Sequence, residues 1–248
     1  MKTMFKIQYY FSVIFLISFI SCSKTNKTTP APVIPPVKNC KIIAASLVSG
    51  TVDTVGKYTF TYDSAGRLSG SLYRSTYSDT VSYSYIGNRI FRSVAAGANS
   101  SVDTITLNSA GLMVQDKEVV GNSVYMTNYV YDANGELSTY TQQQNSYPPV
   151  SSSYTFNNGD NTLISSTSGS DTLTYDSSKP SVNGNLDQFN QLLYLGAYNV
   201  INKHLLISES HGTSTTYTYQ FDSNANISSL KMTTGANSVT INYTYSCQ

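Results

Sequence analysis

Few residues in this chain have the type and spacing that chemistry asks for. There are two histidines, His204 and His211. Seven apart on a regular strand, they fall on opposite faces, which argues against one shared metal site. Ser228 and Lys231 have the Ser-x-x-Lys spacing that a helix uses to set an amine beside a nucleophilic hydroxyl. Here the surrounding pattern is that of a strand, where residues three apart diverge. All four arginines, Arg67, Arg74, Arg89 and Arg92, lie within 26 consecutive residues, with Asp79 the one acid inside that stretch and Asp63 just before it. On neighbouring hairpins they would form a basic patch for a carboxylate, a phosphate or an acidic sugar. No GxSxG, HExxH, glycine-rich phosphate loop or paired-cysteine metal motif occurs. The chain is expected to be no enzyme and to hold neither a metal nor a cofactor.

The elements that must position these residues repeat. The phrase YTFTYDSAGRLSG, Tyr58 to Gly70, sets Tyr58, Phe60 and Tyr62 on one face of a strand, then turn residues, then a return strand. Related phrases begin at Ile105 (ITLNSAGLM), Tyr129 (YVYDANGEL) and Tyr219 (YQFDSNANI), with looser copies at Tyr83, Tyr154 and Leu173. The last residues before the turns are Tyr62, Tyr85, Leu107, Tyr131, Phe156, Tyr175, Phe221 and Tyr245, in steps of 23, 22, 24, 25, 19, 46 and 24. A fixed step means one supersecondary unit repeated, and two strands with two turns fit it. The step of 46 reads as two units with one copy eroded. Asp63, Asp132, Asp176 and Asp222 recur because a turn wants an Asx side chain, and Gly66, Gly111 and Gly135 because it wants positive φ. The recurring aromatics are the expected core.

The predicted fold is all-β: a long antiparallel meander of about sixteen short strands, forming a curved sheet, a sandwich or a partly closed barrel. One stretch breaks the rhythm, Lys179 to Lys203. Leu186, Phe189, Leu192 and Leu193 have helical spacing, and Gly196 would end a short helix spanning about 185–196. This insertion is either a plug over an open end of the sheet or a lid over a pocket; its apolar content favours the plug.

The N-terminus supplies an address. Lys2 and Lys6 precede the apolar run Tyr9 to Ile20, too short to span a bilayer comfortably and suited to a secretory signal. The run ends Phe19-Ile20-Ser21-Cys22, which resembles the relaxed lipobox of Bacteroidota lipoproteins. The resemblance implies removal of residues 1–21 and acylation of Cys22, so the membrane partner would be reached through lipid, with several acyl chains making a stable anchor. Residues 22–39 carry four of the seven prolines (Pro30, Pro32, Pro35 and Pro36) and read as a polyproline stalk reaching up to about 50 Å. Acids after the lipidated cysteine would mark outer-leaflet export; Ser, Lys, Thr, Asn and Lys stand there instead, leaving the surface and periplasmic sides both open. Loss of Lys2 and Lys6 takes the balance from 15 basic against 14 acidic to 13 against 14. Such a chain lacks the basic footprint of a nucleic-acid binder.

Lipidation of Cys22 leaves Cys40 and Cys247, at the two ends of the folded region 40–248. In an oxidising envelope they are expected to pair. Closing so long a loop is worth about 5 kcal/mol in the chain-entropy model. It would also set the first and last strands side by side and antiparallel.

The Y-x-Y-D-x-x-G-x-L phrase resembles the YD repeats of RHS proteins. The whole chain resembles Bacteroidota lipoproteins of unknown function that share the lipobox, the stalk, a cysteine before the first strand and a closing YTYxC, here Tyr243 to Cys247. That resemblance implies fold and location, the outer membrane above all, and no chemistry. The expected function is a tethered, non-catalytic scaffold binding a protein or glycan partner. The alternative is an envelope hydrolase with a site near the 180–203 insertion, dependent on His204 or Asp187. An RHS-like toxin shell would need more repeats than this chain has. Replacing Cys22 by Ala is expected to abolish incorporation of labelled palmitate and to leave the leader uncleaved, seen as a heavier band on a denaturing gel.

Overall fold

The computed structural model describes residues 39–50, 54–96, 99–195 and 202–247. The expected leader, Cys22, the stalk up to residue 38, Gly196 and Gln248 lie outside the described residues. Sixteen strands follow in order. They are β1 (Cys40–Ser49), β2 (Thr54–Tyr62), β3 (Leu68–Arg74), β4 (Ser78–Ile86), β5 (Arg89–Ala96), β6 (Asn99–Leu107), β7 (Met113–Val120) and β8 (Ser123–Tyr131). The second half comprises β9 (Leu137–Gln144), β10 (Val150–Asn157), β11 (Asp160–Ser166), β12 (Gly169–Pro180), β13 (His204–His211), β14 (Thr213–Phe221), β15 (Ile227–Thr234) and β16 (Asn237–Cys247). Each pairs antiparallel with its sequence neighbours, and β1 pairs with β16, so the sheet is a fully closed barrel. Of the three shapes the alternation left open, closure decides for a barrel without an edge.

Cys40 and Cys247 are register partners at that seam and form a disulfide. Because the strands simply go up and down, every turn of the recurring phrase lies at one mouth, together with Cys40, Cys247 and the insertion. The step of 46 is corrected here. Tyr175 is on β12 and Phe221 on β14, so a single hairpin step separates them. The additional residues are the insertion itself, and no eroded repeat stands there.

The repeated turn is built as its composition requires. Asp63 Oδ1 accepts from the amide of Arg67, and the amide of Gly66 donates to the Asp63 carbonyl. Asp132 accepts from the amides of Asn134 and Glu136, Asn108 from Ala110 and Leu112, and Asp222 from Asn224 and Asn226. The left-handed position is Gly66, Gly111 and Gly135, with Ala225 in the fourth copy. Asp176 departs from the pattern: it accepts from Ser178 and pairs with Lys179 on a bulged stretch of β12.

Each such turn ends in a register shift, which takes one carbonyl of the return strand out of the ladder. At β3, β7 and β15 a tyrosine hydroxyl from the next strand takes its place, and the carbonyls of Ile42 on β1 and Leu206 on β13, which follow no such turn, are met in the same way. After the bulged Asp132 turn the equivalent position is Phe156, which has no hydroxyl. Tyr62 donates to the carbonyl of Ile42, Tyr85 to Leu68, Tyr131 to Met113, Tyr219 to Leu206 and Tyr245 to Ile227, all at 2.6–2.7 Å. Burial pushes the phenols of Tyr62, Tyr85 and Tyr131 up to about 12, so they stay donors. The β4–β5 turn is the control. It has no register shift between Tyr85↔Ile90 and Ile86↔Arg89, and the position that would reach Ile90 is Leu107, without a hydroxyl.

The two faces of the sheet are chemically opposite. Ile42, Phe60, Tyr83, Ile105, Tyr129, Tyr217, Leu230 and Tyr243 meet in one core inside the barrel. Outward stand Ser78, Thr80, Ser82 and Ser84 on β4, Ser151, Ser153 and Thr155 on β10, and Ser214, Thr216 and Thr218 on β14. Apolar side chains also stand exposed, at Ile43, Val55, Ile86, Val130, Val150, Ile207 and Phe221, and Val102 and Val119 are cross-strand partners.

The Tyr245 hydroxyl also donates to Asn183 of the insertion, at 3.2 Å. Tyr245→Phe is expected to leave the Ile227 carbonyl short of a donor and to cost about 1–3 kcal/mol in urea unfolding. Tyr77→Phe, at a ring 60 % exposed, is expected to stay within about 0.5 kcal/mol of wild type.

Candidate functional site

The insertion is a plug. Residues 181–185 (SVNGN) climb over the seam. Asn183 Nδ2 donates to the Cys40 carbonyl, and its own carbonyl accepts from the Ile227 amide. Gly184 has φ +92 and sits against the Tyr245 hydroxyl and the Ile227 carbonyl, where any Cβ would collide. Asn185 then caps a short helix, α1 (Leu186–Asn190), by accepting from the Gln188 amide at 2.7 Å, and a π turn, Gln191–Leu195, continues it. Of the residues with helical spacing, Phe189 and Leu192 enter the core. Phe189 stands edge-on to Tyr58 and Tyr243, with ring centroids 6.0 and 5.7 Å away.

The returning chain is clamped by polar pairs. Asp187 Oδ2 accepts from both the amide and the side chain of Asn202, and Asn202 Oδ1 accepts from the amide of Asn161. His204 Nδ1 lies 2.6 Å from Asp160, which also accepts from the His204 amide. The two candidate hydrolase residues are thus engaged separately, each in tying the plug to the wall. His211 pairs with Asp171 at the opposite mouth, so the histidines share no site. Ser228 and Lys231 are on β15, with no helix between them.

Two cavities flank the plug. The smaller, about 270 Å³, is lined by Tyr154, Tyr175, Asp187, Asn202 and Glu209. Burial raises the Asp187 carboxyl above its ordinary range, against the pull of Asn202. The larger, about 500 Å³, lies between the plug and the turns after β2, β4 and β6. Its charged lining is Lys41, Arg67 and Arg89, with no acid, and Gln188 and Gln191 face it from the plug. Lys41 Nζ lies against Gly66 and 5.2 Å from the Tyr62 ring centre; Arg67 stacks 4.2 Å from that of Tyr85 and pairs with Asp63.

The four-arginine patch is therefore divided. Arg67 and Arg89 meet at the plugged mouth. Arg74 is at the other end of β3, facing out. Arg92 points inward, to a fully buried Asp103 at 2.5 Å. Residues 89 and 92 are three apart on a strand, so opposite faces were readable from parity. Sequence reasoning missed Lys41 and Gln191, which come from the first strand and the plug and join the site only on closure. It also missed a buried acidic cluster: Asp116 and Glu118 are inward neighbours of Ile105 and Asp103.

No family model matches this chain, and no curated protein does. Solved structures do. A porin-like protein from Bacteroides uniformis ATCC 8492 matches with a TM-score of 0.62 and 18% identity, over 83% of this chain and 96% of that one. A porin-like protein from Bacteroides vulgatus ATCC 8482 matches with a TM-score of 0.54 and 13% identity, over 83% and 98%. The shared property is the barrel. At these identities the likeness is one of fold.

Inside the barrel, burial together with Asp103 and Glu118 pushes Asp116 up to about 7, while Arg92 pulls it down. Its carboxyl is thus raised relative to the unfolded chain, and the fold holds an additional proton between the ordinary carboxylate range and about 7. Stability is full below that window, falls as pH rises through it, and is level above it. Urea unfolding is expected to show a loss on the order of 1–3 kcal/mol between about pH 5 and pH 8, and Asp116→Asn is expected to remove most of that slope.

Proposed function

We propose that this chain is a lipid-anchored envelope protein whose barrel stands in water and binds a partner at its plugged mouth, without catalysis. The observation that carries this reading is the distribution of side chains over the sheet. A barrel that spans a bilayer shows lipid an apolar band about 25 Å tall, bounded by aromatic girdles, and keeps a polar lumen. Here serines and threonines face out and aromatic rings fill the inside. The porin-like neighbours support the architecture and an envelope setting; the outward Ser and Thr support a barrel held off the membrane by its stalk rather than set in it.

Binding at the plugged mouth is supported by the larger cavity, whose size falls in the usual range for small-molecule sites. A glycan or a protein loop reaching into that cavity would meet polar turns and cationic side chains. A second reading, hydrolysis at the insertion, is favoured by the two carboxylates of the smaller cavity, Asp187 and Glu209.

The mature lipoprotein, reconstituted into planar bilayers, is expected to give no conductance steps. Discrete channels would overturn the reading. Protease added to intact cells is expected to remove the barrel if it faces outward, and only after permeabilisation if it faces the periplasm. Glycan turnover lost in Asp187→Asn would replace binding by hydrolysis.

A further inference from the structure

We infer that the larger cavity at the plugged mouth is a binding site for a small organic oxyanion, a carboxylate or phosphate carried on a sugar-sized molecule. This deepens, and rests on, the mouth-binding reading above.

Charge comes first. Three cations line the cavity and no carboxylate does. Asp63, the acid nearest by sequence, is engaged by Arg67 through both the backbone amide and the guanidinium. Arg89 has no ion pair among the described residues, and Lys41 stands over the Tyr62 ring. Two positive charges thus converge on one cavity without a counter-charge, which is the arrangement that attracts and holds an anion.

The plug supplies the second observation. Gln191 Nε2 is enclosed and has no hydrogen-bond partner among the described residues. An enclosed amide donor left unsatisfied costs about 1–3 kcal/mol. An acceptor oxygen in the cavity would remove that cost. Gln188 is already committed, its Oε1 accepting from the Gly184 amide, so its side chain is held in place at the cavity wall. The apolar part of the lining, Ile42, Leu68, Ile90, Leu107 and Leu192, gives the rest of the ligand a surface to cover.

The positions of these groups are fixed by the fold. Lys41 is next to the Cys40–Cys247 disulfide, Arg67 and Arg89 are beside tight turns, and Gln191 is on the plug. The cation set is complete in the closed barrel with the plug seated.

The test is isothermal titration of the mature lipoprotein in detergent micelles with glucuronate, glucose 6-phosphate and neutral glucose. Saturable binding of glucuronate or of glucose 6-phosphate, with none of glucose, supports the site, and the anion that binds identifies the source of the charge. Lys41→Gln and Arg89→Gln are each expected to weaken binding about tenfold, and added salt to weaken it further. Arg74→Gln, on the outer face, is expected to change nothing. The inference is overturned if neither anion binds, or if binding is indifferent to Lys41→Gln and Arg89→Gln in proteins of unchanged melting temperature. That failure, with bilayers still silent, would leave the tethered barrel standing and remove only its ligand; conductance would remove the barrel reading itself.

Discussion

The rest of the structure depends on the carbonyl that each repeated turn leaves without a ladder partner. An Asx turn with a left-handed residue puts one residue too many into the hairpin, and the bulge that absorbs it frees a carbonyl inside the protein. Tyrosine hydroxyls of β4, β8 and β16 cap three of those carbonyls, and those of β2 and β14 cap the carbonyls of Ile42 and Leu206 near the starts of β1 and β13. The same bulges bend and twist the sheet, which is how antiparallel strands are brought round to close. This gives Tyr85, Tyr131 and Tyr245 a role beyond that of a large ring, one that Phe156, after the bulged Asp132 turn, cannot fill. At β4–β5, where the ladder is unbroken, leucine suffices in the capping position. Closure then sets Cys40 opposite Cys247, and the disulfide fixes a seam that backbone pairing has already made.

Turning the aromatics inward has a second consequence. The outer face carries rows of small hydroxyl side chains that water solvates well, with apolar ones such as Val102, Val130 and Ile207 between them, while the inside becomes a core, closed over at one mouth by Phe189 and Leu192. A wide barrel filled this way tolerates few buried charges, and the pairing of Arg92 with Asp103 beside Asp116 is costly to maintain. Among the described groups it is where the protein departs most from an apolar interior.

Much of this was legible from residues. The Asx and glycine positions, the count of strands, the pairing of the terminal cysteines and a short helical plug, described over 186–195, all follow from local chemistry read against a fixed period. Three features were not. The double step between Tyr175 and Phe221 gives the same number for an eroded repeat and for an insertion, and only strand pairing separates them. The arginines are neighbours in sequence and parity alone separates Arg89 from Arg92, but which mouth each one reaches depends on the lengths of the hairpins. The cationic cavity depends on Lys41 and Gln191, 150 residues apart, and contacts at that distance exist only once the barrel has closed.

The central claim is that the barrel's outer face belongs to water and its aromatic face to the core. Sedimentation velocity of residues 23–248, made without leader or lipid and kept free of detergent, tests it most directly. A single monomeric boundary with the disulfide intact is the predicted result. Aggregation relieved only by detergent or lipid would contradict it, and would mean that the outward serines and threonines face a bilayer after all.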